Sequence, residues 1–74
     1  MDKTLQQQVG ENVRRLRREQ GLTQQQLGYL TQTNSTYIVR LEHGRSNPSL
    51  LTLERIAKAL GAEVWKLCLP IAEE

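Results

Sequence analysis

Cysteine and large aromatic residues are scarce in this chain, and phenylalanine is absent. Two tyrosines and one tryptophan are the only large aromatic residues among 74, so the core must be built from Leu, Ile and Val. The single cysteine, Cys68, permits no intrachain disulfide and is typical of a reducing compartment. No apolar run is long enough to cross a bilayer, and no signal-peptide pattern opens the chain. We therefore expect a cytoplasmic protein with no membrane partner.

The residues needed for catalysis or metal binding are also missing. One histidine and one cysteine cannot form a zinc site of standard spacing, and no acidic cluster indicates calcium or magnesium. No glycine-rich phosphate loop follows a strand. His43 suits an exposed position at a helix C-terminus, and Cys68 suits a small apolar role between Leu67 and Leu69. The sequence predicts no enzyme activity, no metal, no cofactor and no small-molecule ligand.

Length and charge set broad limits. A chain of 74 residues suits one domain, residues 1–74 with a core of about 5–67, and is small enough for oligomerisation to help it. The formal charge of +2 is mild and says little about partners. Its distribution is uneven, with arginines early and glutamates late: Arg14, Arg15, Arg17 and Arg18 against Glu63, Glu73 and Glu74. The arginine cluster is compatible with general attraction to phosphates and, equally, with a solvated surface.

Apolar spacing and capping signals predict the first two helices. In the first helix, apolar residues recur at helical spacing: Leu5, Val9, Val13 and Leu16. Gly21 is placed to end it in a left-handed conformation. Thr23 and Gln26 form a capping-box pattern that begins the second helix, in which Leu27 and Leu30 are predicted to face inward.

Three more helices follow and complete an all-α chain. A turn at residues 31–33 separates the second helix from the third, and its length is typical of a helix-turn-helix. Asn34 caps the third helix, and Gly44 ends it. Ser49 caps the fourth helix, and Pro70 ends the fifth. The apolar positions of the fourth helix are Leu50, Leu53, Ile56, Ala57 and Leu60, and those of the fifth are Val64, Trp65 and Leu67.

The third helix has two faces of opposite character. Ile38 and Leu41 share one face at 100° per residue. The other face carries Thr36, Val39, Arg40 and His43. Hydroxyls, a small apolar group and a guanidinium suit the edges of base pairs, where arginine reads guanine. An isolated stretch of this kind would more simply be an amphipathic helix with a solvated face, but the preceding helix and turn favour the DNA-reading interpretation.

Three motifs occur in a specific order and spacing. They are Leu22-Thr23-Gln24-x-x-Leu27, then Ile38-x-Arg40-Leu41-Glu42-x-Gly44-x-x-x-Pro48-Ser49-x-x-x-Leu53, then Ile56-Ala57-x-Ala59-Leu60-Gly61. From about Val9 to Leu67 the chain resembles the phage-repressor/Cro-like, or XRE-type, helix-turn-helix family. Thr36-Tyr37-Ile38 followed by Arg45-Ser46-Asn47 is also similar to the controller proteins of restriction–modification systems. The resemblance implies a compact five-helix, lambda-repressor-like DNA-binding domain whose helix 35–42 enters the major groove.

The same resemblance implies roles for single residues. It implies base contacts from Ser35, Thr36, Tyr37 and Arg40, and DNA backbone contacts from Gln24, Arg45 and Asn47. Gln24 is also expected to brace the reading helix. Glu42 lies at the end of its helix where the macrodipole disfavours a carboxylate, and it lies on the inward side. Arg17 matches the family partner of this residue, so we expect a structural ion pair and not two exposed charges of no consequence.

Two positions depart from the family pattern, which usually has a small residue such as alanine at position 28 and glycine at position 32. Gly28 keeps the close packing of the two helices but weakens its own helix by roughly 1 kcal/mol relative to alanine. Gln32 must adopt a left-handed conformation without the help of glycine, or else the turn has a different shape.

The sequence therefore predicts a sequence-specific transcription regulator that binds a roughly palindromic operator as a homodimer. The dimer interface is expected from apolar residues that one short helix cannot bury: Trp65, Leu67, Leu69 and Ile71. Trp65 by itself would equally well fill the bottom of the core. The alternative is a protein-interaction module with little sequence-specific DNA binding, which the polar outer face of the third helix disfavours. A restriction–modification controller, a phage-type repressor and an antitoxin-like regulator all remain open.

Overall fold

The computed structural model describes residues 3–70, which form helices and loops and contain no strand. Five helices follow one another: α1 (Leu5–Glu19), α2 (Gln24–Leu30), α3 (Ser35–Glu42), α4 (Leu50–Ala59) and α5 (Val64–Leu67). None of these five is both long and apolar enough to cross a membrane. The predicted all-α architecture of five helices is confirmed.

Local signals begin and end most of the helices. The N-cap residues of the first four are Thr4, Thr23, Asn34 and Ser49, and each side-chain oxygen accepts a hydrogen bond from the backbone N–H three residues on. The predicted capping box of Thr23 and Gln26 is present, and Thr4 forms a second box with Gln7 that was not predicted. A glycine at positive φ follows α1, α3 and α4, so three helices end where glycine permits a left-handed residue.

The core is aliphatic, as the absence of phenylalanine predicts. Its buried side chains are Val9, Val13, Leu27, Ile38, Leu41, Leu53, Ile56, Ala57, Leu60 and Leu67. The prediction that Leu30 faces inward is wrong, and Leu5 and Leu50, which begin the apolar stripes of α1 and α4, are exposed as well. Thr31, one residue beyond Leu30, is fully buried instead, and its Oγ1 donates to the Leu27 carbonyl oxygen at 2.8 Å. The inward face of α2 is thus rotated towards Thr31.

The turn between α2 and α3 depends on the two positions that depart from the family pattern. A Cβ added to Gly28 would lie 2.6 Å from the carbonyl carbon of Asn34, so only glycine fits this contact without a shift of the backbone. Gln32 has a φ of 60°, so the left-handed conformation is the one of the two expected outcomes that occurs. The Thr33 N–H donates to the Gly28 carbonyl at 2.8 Å and closes the turn.

An ion pair joins α1 to the end of α3. The Arg17 guanidinium donates from Nε to Glu42 Oε2 at 2.7 Å and from Nη2 to Oε1 at 3.1 Å. Only 10% of the arginine side chain and 2% of the glutamate side chain are exposed. Arg17 Nη1 also donates to the Leu22 carbonyl at 2.8 Å, and Gln24 Nε2 donates to Glu42 Oε1 at 3.1 Å. The predicted ion pair is confirmed, and it links three helices.

We expect Gly28→Ala to destabilise the domain by about 1–3 kcal/mol, because the new methyl group collides with backbone atoms. Helix propensity alone predicts the opposite sign, a gain of about 1 kcal/mol. Urea unfolding followed by circular dichroism distinguishes the two. Gln25→Ala, at an exposed position of the same helix, is the control and should change stability by a few tenths of a kcal/mol at most.

Glu42→Gln should destabilise the domain by about 3–5 kcal/mol, because it leaves the nearly buried Arg17 guanidinium without a counter-charge. Glu19→Gln breaks the exposed pair between Arg15 Nη1 and Glu19 Oε2, which are 3.2 Å apart, and should cost less than about 1 kcal/mol. Thermal and urea unfolding at neutral pH measure both variants. Unfolding curves of Glu42→Gln that overlay those of the parent would show that the buried pair contributes nothing.

Candidate nucleic-acid interface

Burial of one side of α3 determines which side chains its other side presents. Ile38, Leu41 and Glu42 are buried, and these three positions set the rotation of the helix. Consequently Thr36 and Arg40 lie on the exposed side, as the helical period requires. The N-cap of α3 also helps to fix the orientation of this helix, because Asn34 Oδ1 accepts a hydrogen bond from the Tyr37 N–H at 2.8 Å and anchors the first turn.

The exposed side of α3 and the loop that follows it form one concave polar surface, which we call the reading groove. Its lining residues are Asn34, Thr36, Tyr37, Arg40, Arg45, Ser46 and Asn47. Predicted base-contacting and backbone-contacting residues therefore lie side by side. Ser35 is exposed at the first position of α3 but does not line the groove.

Ser46 belongs to the reading groove although it was not predicted as a contact. It is half-buried and lies between the predicted contacts Arg45 and Asn47. Its position in the sequence between two predicted contacts was the available signal. Spacing in an irregular loop does not reveal which side chains point into a groove, so that signal is weak.

The arginines of the reading groove are available to a ligand. Within residues 3–70, neither Arg40 nor Arg45 forms an ion pair, in contrast to Arg15 and Arg17. The backbone is also fixed here, because the Arg45 N–H donates to the Arg40 carbonyl at 3.0 Å. Free guanidinium groups in a concave polar surface suit guanine edges and phosphate oxygens.

Gln24 lies apart from the reading groove. It lines a second groove with Arg14, Arg18 and His43, between α1, the start of α2 and the end of α3. The hydrogen bond that its side-chain amide donates to Glu42 provides the predicted brace of α3. Its predicted contact with a DNA phosphate stays a prediction.

His43 and Cys68 both lie at helix C-termini, at the ends of α3 and α5. His43 is the C-cap of α3, and its Nδ1 lies 2.8 Å from the Val39 carbonyl oxygen. Cys68 is half-buried against the apolar core. In the part of the chain that the structure describes, no three His, Cys, Asp or Glu residues are grouped as metal ligands.

The residues predicted for a dimer interface fall into three groups. Trp65 and Leu69 are 57% and 46% exposed, which leaves apolar surface for a partner. Leu67 is fully buried in the core, so its prediction as an interface residue is wrong: its side chain has no surface left to contribute. Ile71 lies outside the described residues. Leu51, also exposed, was not predicted for the interface.

Together, the capped α2, the left-handed turn and the polar face of α3 define a helix-turn-helix DNA-binding domain. The chain belongs to the helix-turn-helix domain family, whose pattern matches residues 8–64. Two curated relatives are named as an HTH-type transcriptional regulator and as an immunity repressor protein. The chain is accordingly a DNA-binding transcription regulator of the helix-turn-helix type.

Two curated relatives and one solved structure illustrate the similarity. An HTH-type transcriptional regulator of Sinorhizobium fredii is 43% identical over 65 residues, covering 88% of this chain and 84% of that protein. The immunity repressor protein of Bacillus phage phi105 is 43% identical over 56 residues, covering 76% of this chain and 39% of the repressor. This chain thus spans well under half of the phage protein.

The restriction–modification controller protein C.AhdI from Aeromonas hydrophila has a similar structure, with a TM-score of 0.79 at 32% identity. The similarity covers 84% of this chain and 94% of the controller. The predicted resemblance to phage repressors and controller proteins is confirmed. These three relatives are named as regulators and not as enzymes.

Arg40→Ala should cost about 1–3 kcal/mol of binding free energy on a preferred DNA sequence and flatten the preference at one base pair. Arg45→Ala should weaken binding to every sequence alike and reduce the slope of log affinity against log salt by about one. Fluorescence anisotropy on selected and scrambled duplexes, at several salt concentrations, measures both effects.

The control is Arg55→Ala, which removes the same charge from an exposed position of α4 that lines neither groove. It should leave sequence preference intact. If Arg40→Ala and Arg45→Ala lose affinity equally on selected and scrambled DNA, the proposed division between base and backbone contacts does not hold.

Proposed function

We propose that this chain is a sequence-specific regulator that binds a roughly palindromic operator as a homodimer, with α3 in the major groove. The reading groove is the observation that carries the proposal. It combines hydroxyl, amide and unpaired guanidinium groups on a helix whose other side is locked into the core. A major groove about 12 Å wide admits such a helix.

Within this proposal, base and backbone contacts have separate sources. Ser35, Thr36, Tyr37 and Arg40 are the proposed base contacts, and Gln24, Arg45 and Asn47 are the proposed backbone contacts. The division is supported by position, because α3 can enter the major groove of DNA while the loop after α3 and the start of α2 remain near the phosphates. Tyr37 is half-buried. It packs against the core and also lines the reading groove.

Dimerisation is supported by size and by exposed apolar surface. The described residues measure 33 × 22 × 18 Å and carry one reading helix. Two such helices related by a two-fold axis contact half-sites about 34 Å apart, one turn of DNA. The proposed interface contains Trp65 and Leu69, with Ile71 as a further candidate.

The alternative, a protein-interaction module, has weaker support. Tyr29 and Leu30 are exposed on α2 and offer a small apolar surface. The reading groove, however, is polar and cationic, which suits nucleic acid better than an apolar partner. We further infer that the chain has no catalytic activity, and that it acts in the cytoplasm, because DNA is its target.

Leu69→Glu should convert a dimer into a monomer, because each subunit would bring a charge into an apolar interface. Sedimentation equilibrium measures the association state, and DNA titrations should lose their cooperative rise with protein concentration. Leu30→Glu places the same charge at an exposed leucine of α2 and serves as the control. A parent chain that remains monomeric well above micromolar concentration, or a Leu69→Glu variant that dimerises like the parent, would contradict the proposed interface.

A further inference from the structure

The segment that carries the exposed apolar residues is weakly determined by its own sequence. α5 spans only Val64–Leu67, and its N-cap residue, Glu63, provides no side-chain hydrogen bond to the helix backbone. Helices this short are not stable alone. The last carbonyl groups of any helix also lack partners within it. The direction of residues 64–69 must therefore be fixed by contacts with another part of the chain.

A buried side chain on α1 supplies those contacts. Asn12 is 2% exposed, and its Nδ2 donates to the Leu67 carbonyl at 2.8 Å and to the Leu69 carbonyl at 2.8 Å. An amide nitrogen has two hydrogens, so both are used on this segment. Asn12 Oδ1 also lies 3.4 Å from Arg15 Nη2. The interior of α1 thus caps the end of α5.

We propose that Asn12 is a positioning residue for the homodimer, and that it fixes the direction in which Trp65 and Leu69 face the partner subunit. The inference rests on the dimer described under Proposed function. The two hydrogen bonds from Asn12 reach the residues on either side of Cys68, so they hold Cys68 against the core while Leu69 stays 46% exposed. The occupant is a second copy of this chain, because the proposed operator binding requires two reading helices and each chain has one.

The same helix also sets the position of α3. A Cβ on Gly10 would lie 2.9 Å from the Glu42 carbonyl oxygen, so α1 and the end of α3 are in direct backbone contact. Arg17 binds the Glu42 side chain from the same helix. α1 therefore connects the reading helix at one point with the interface segment at another, and Asn12 determines the distance between the two reading helices of the dimer.

The test uses Asn12→Leu, which has a similar size but donates no hydrogen bonds. Sedimentation equilibrium gives the dimer dissociation constant, and the emission of Trp65, the only tryptophan, reports on the interface during dilution. Both are measured at a temperature where circular dichroism shows the variant fully folded. We expect the dissociation constant to rise by about tenfold or more, since two hydrogen bonds are lost.

Val13→Ala, the next residue on α1, is the matched control. It opens a cavity in the core and lowers stability while leaving in place both hydrogen bonds from Asn12 to residues 67 and 69. Its dimer dissociation constant should match that of the parent. If Val13→Ala weakens the dimer as much as Asn12→Leu does, loss of stability explains the effect and the inference is overturned.

Asn12→Ser, which keeps one hydroxyl donor in a smaller side chain, replaces Asn12→Leu if the latter does not fold, and it should weaken the dimer in the same direction. A folded Asn12 variant with the parent's dissociation constant overturns the positioning role and leaves the dimer intact. A monomeric parent overturns the dimer, and the role of Asn12 with it. On DNA, a saturating Asn12 variant should also discriminate less than the parent between operators whose half-site spacing differs by one base pair.

Discussion

The ion pair between Arg17 and Glu42 is the interaction on which the rest of the domain depends. A carboxylate at the end of α3 faces an unfavourable helix dipole and is removed from water, so it requires a cation that is equally well positioned. Arg17 meets this need with two hydrogen bonds and uses a third on the Leu22 carbonyl. Gln24 completes the coordination of the carboxylate. A single buried charge thereby fixes α3 against α1 and α2, and with it the groups that face DNA.

Close backbone packing completes what the ion pair begins. Gly10 allows α1 to pack against the end of α3, and Gly28 allows α2 to pack against Asn34, the N-cap of α3. Glycine is favourable at neither position by helix propensity. Glycine is nevertheless required at both positions, because a Cβ there would push α3 away. The reading groove is therefore rigid on its inner side, while its outer side holds hydroxyl, amide and guanidinium groups with access to solvent. Rigid support with polar contacts outside is the arrangement that sequence readout requires.

Features set by neighbours in the sequence could be predicted, and features set by distant packing could not. Three of the four side-chain caps and the order of helices follow from local chemistry, while the left-handed Gln32 was one of two outcomes expected from the family pattern. The pairing of Arg17 with Glu42 followed from a misplaced charge together with family resemblance. Leu30 was predicted to face inward and is exposed, and Thr31 of the predicted turn is buried instead, because the rotation of a short helix is decided by its neighbours. Leu67 was expected outside and Asn12 was not singled out, since their contact joins residues 55 positions apart.

That long-range contact also bears on the order in which the domain is made. During synthesis α1 is the first of the five helices to leave the ribosome, and its capping box stabilises its first turn. The acceptors for its buried amide, at positions 67 and 69, emerge only with the end of α5. Until then, docking α1 would bury donors without partners, which disfavours a settled core. A chain that ends before residue 67 therefore lacks both acceptors of the Asn12 amide, and α1 cannot yet hold the segment that carries Leu69.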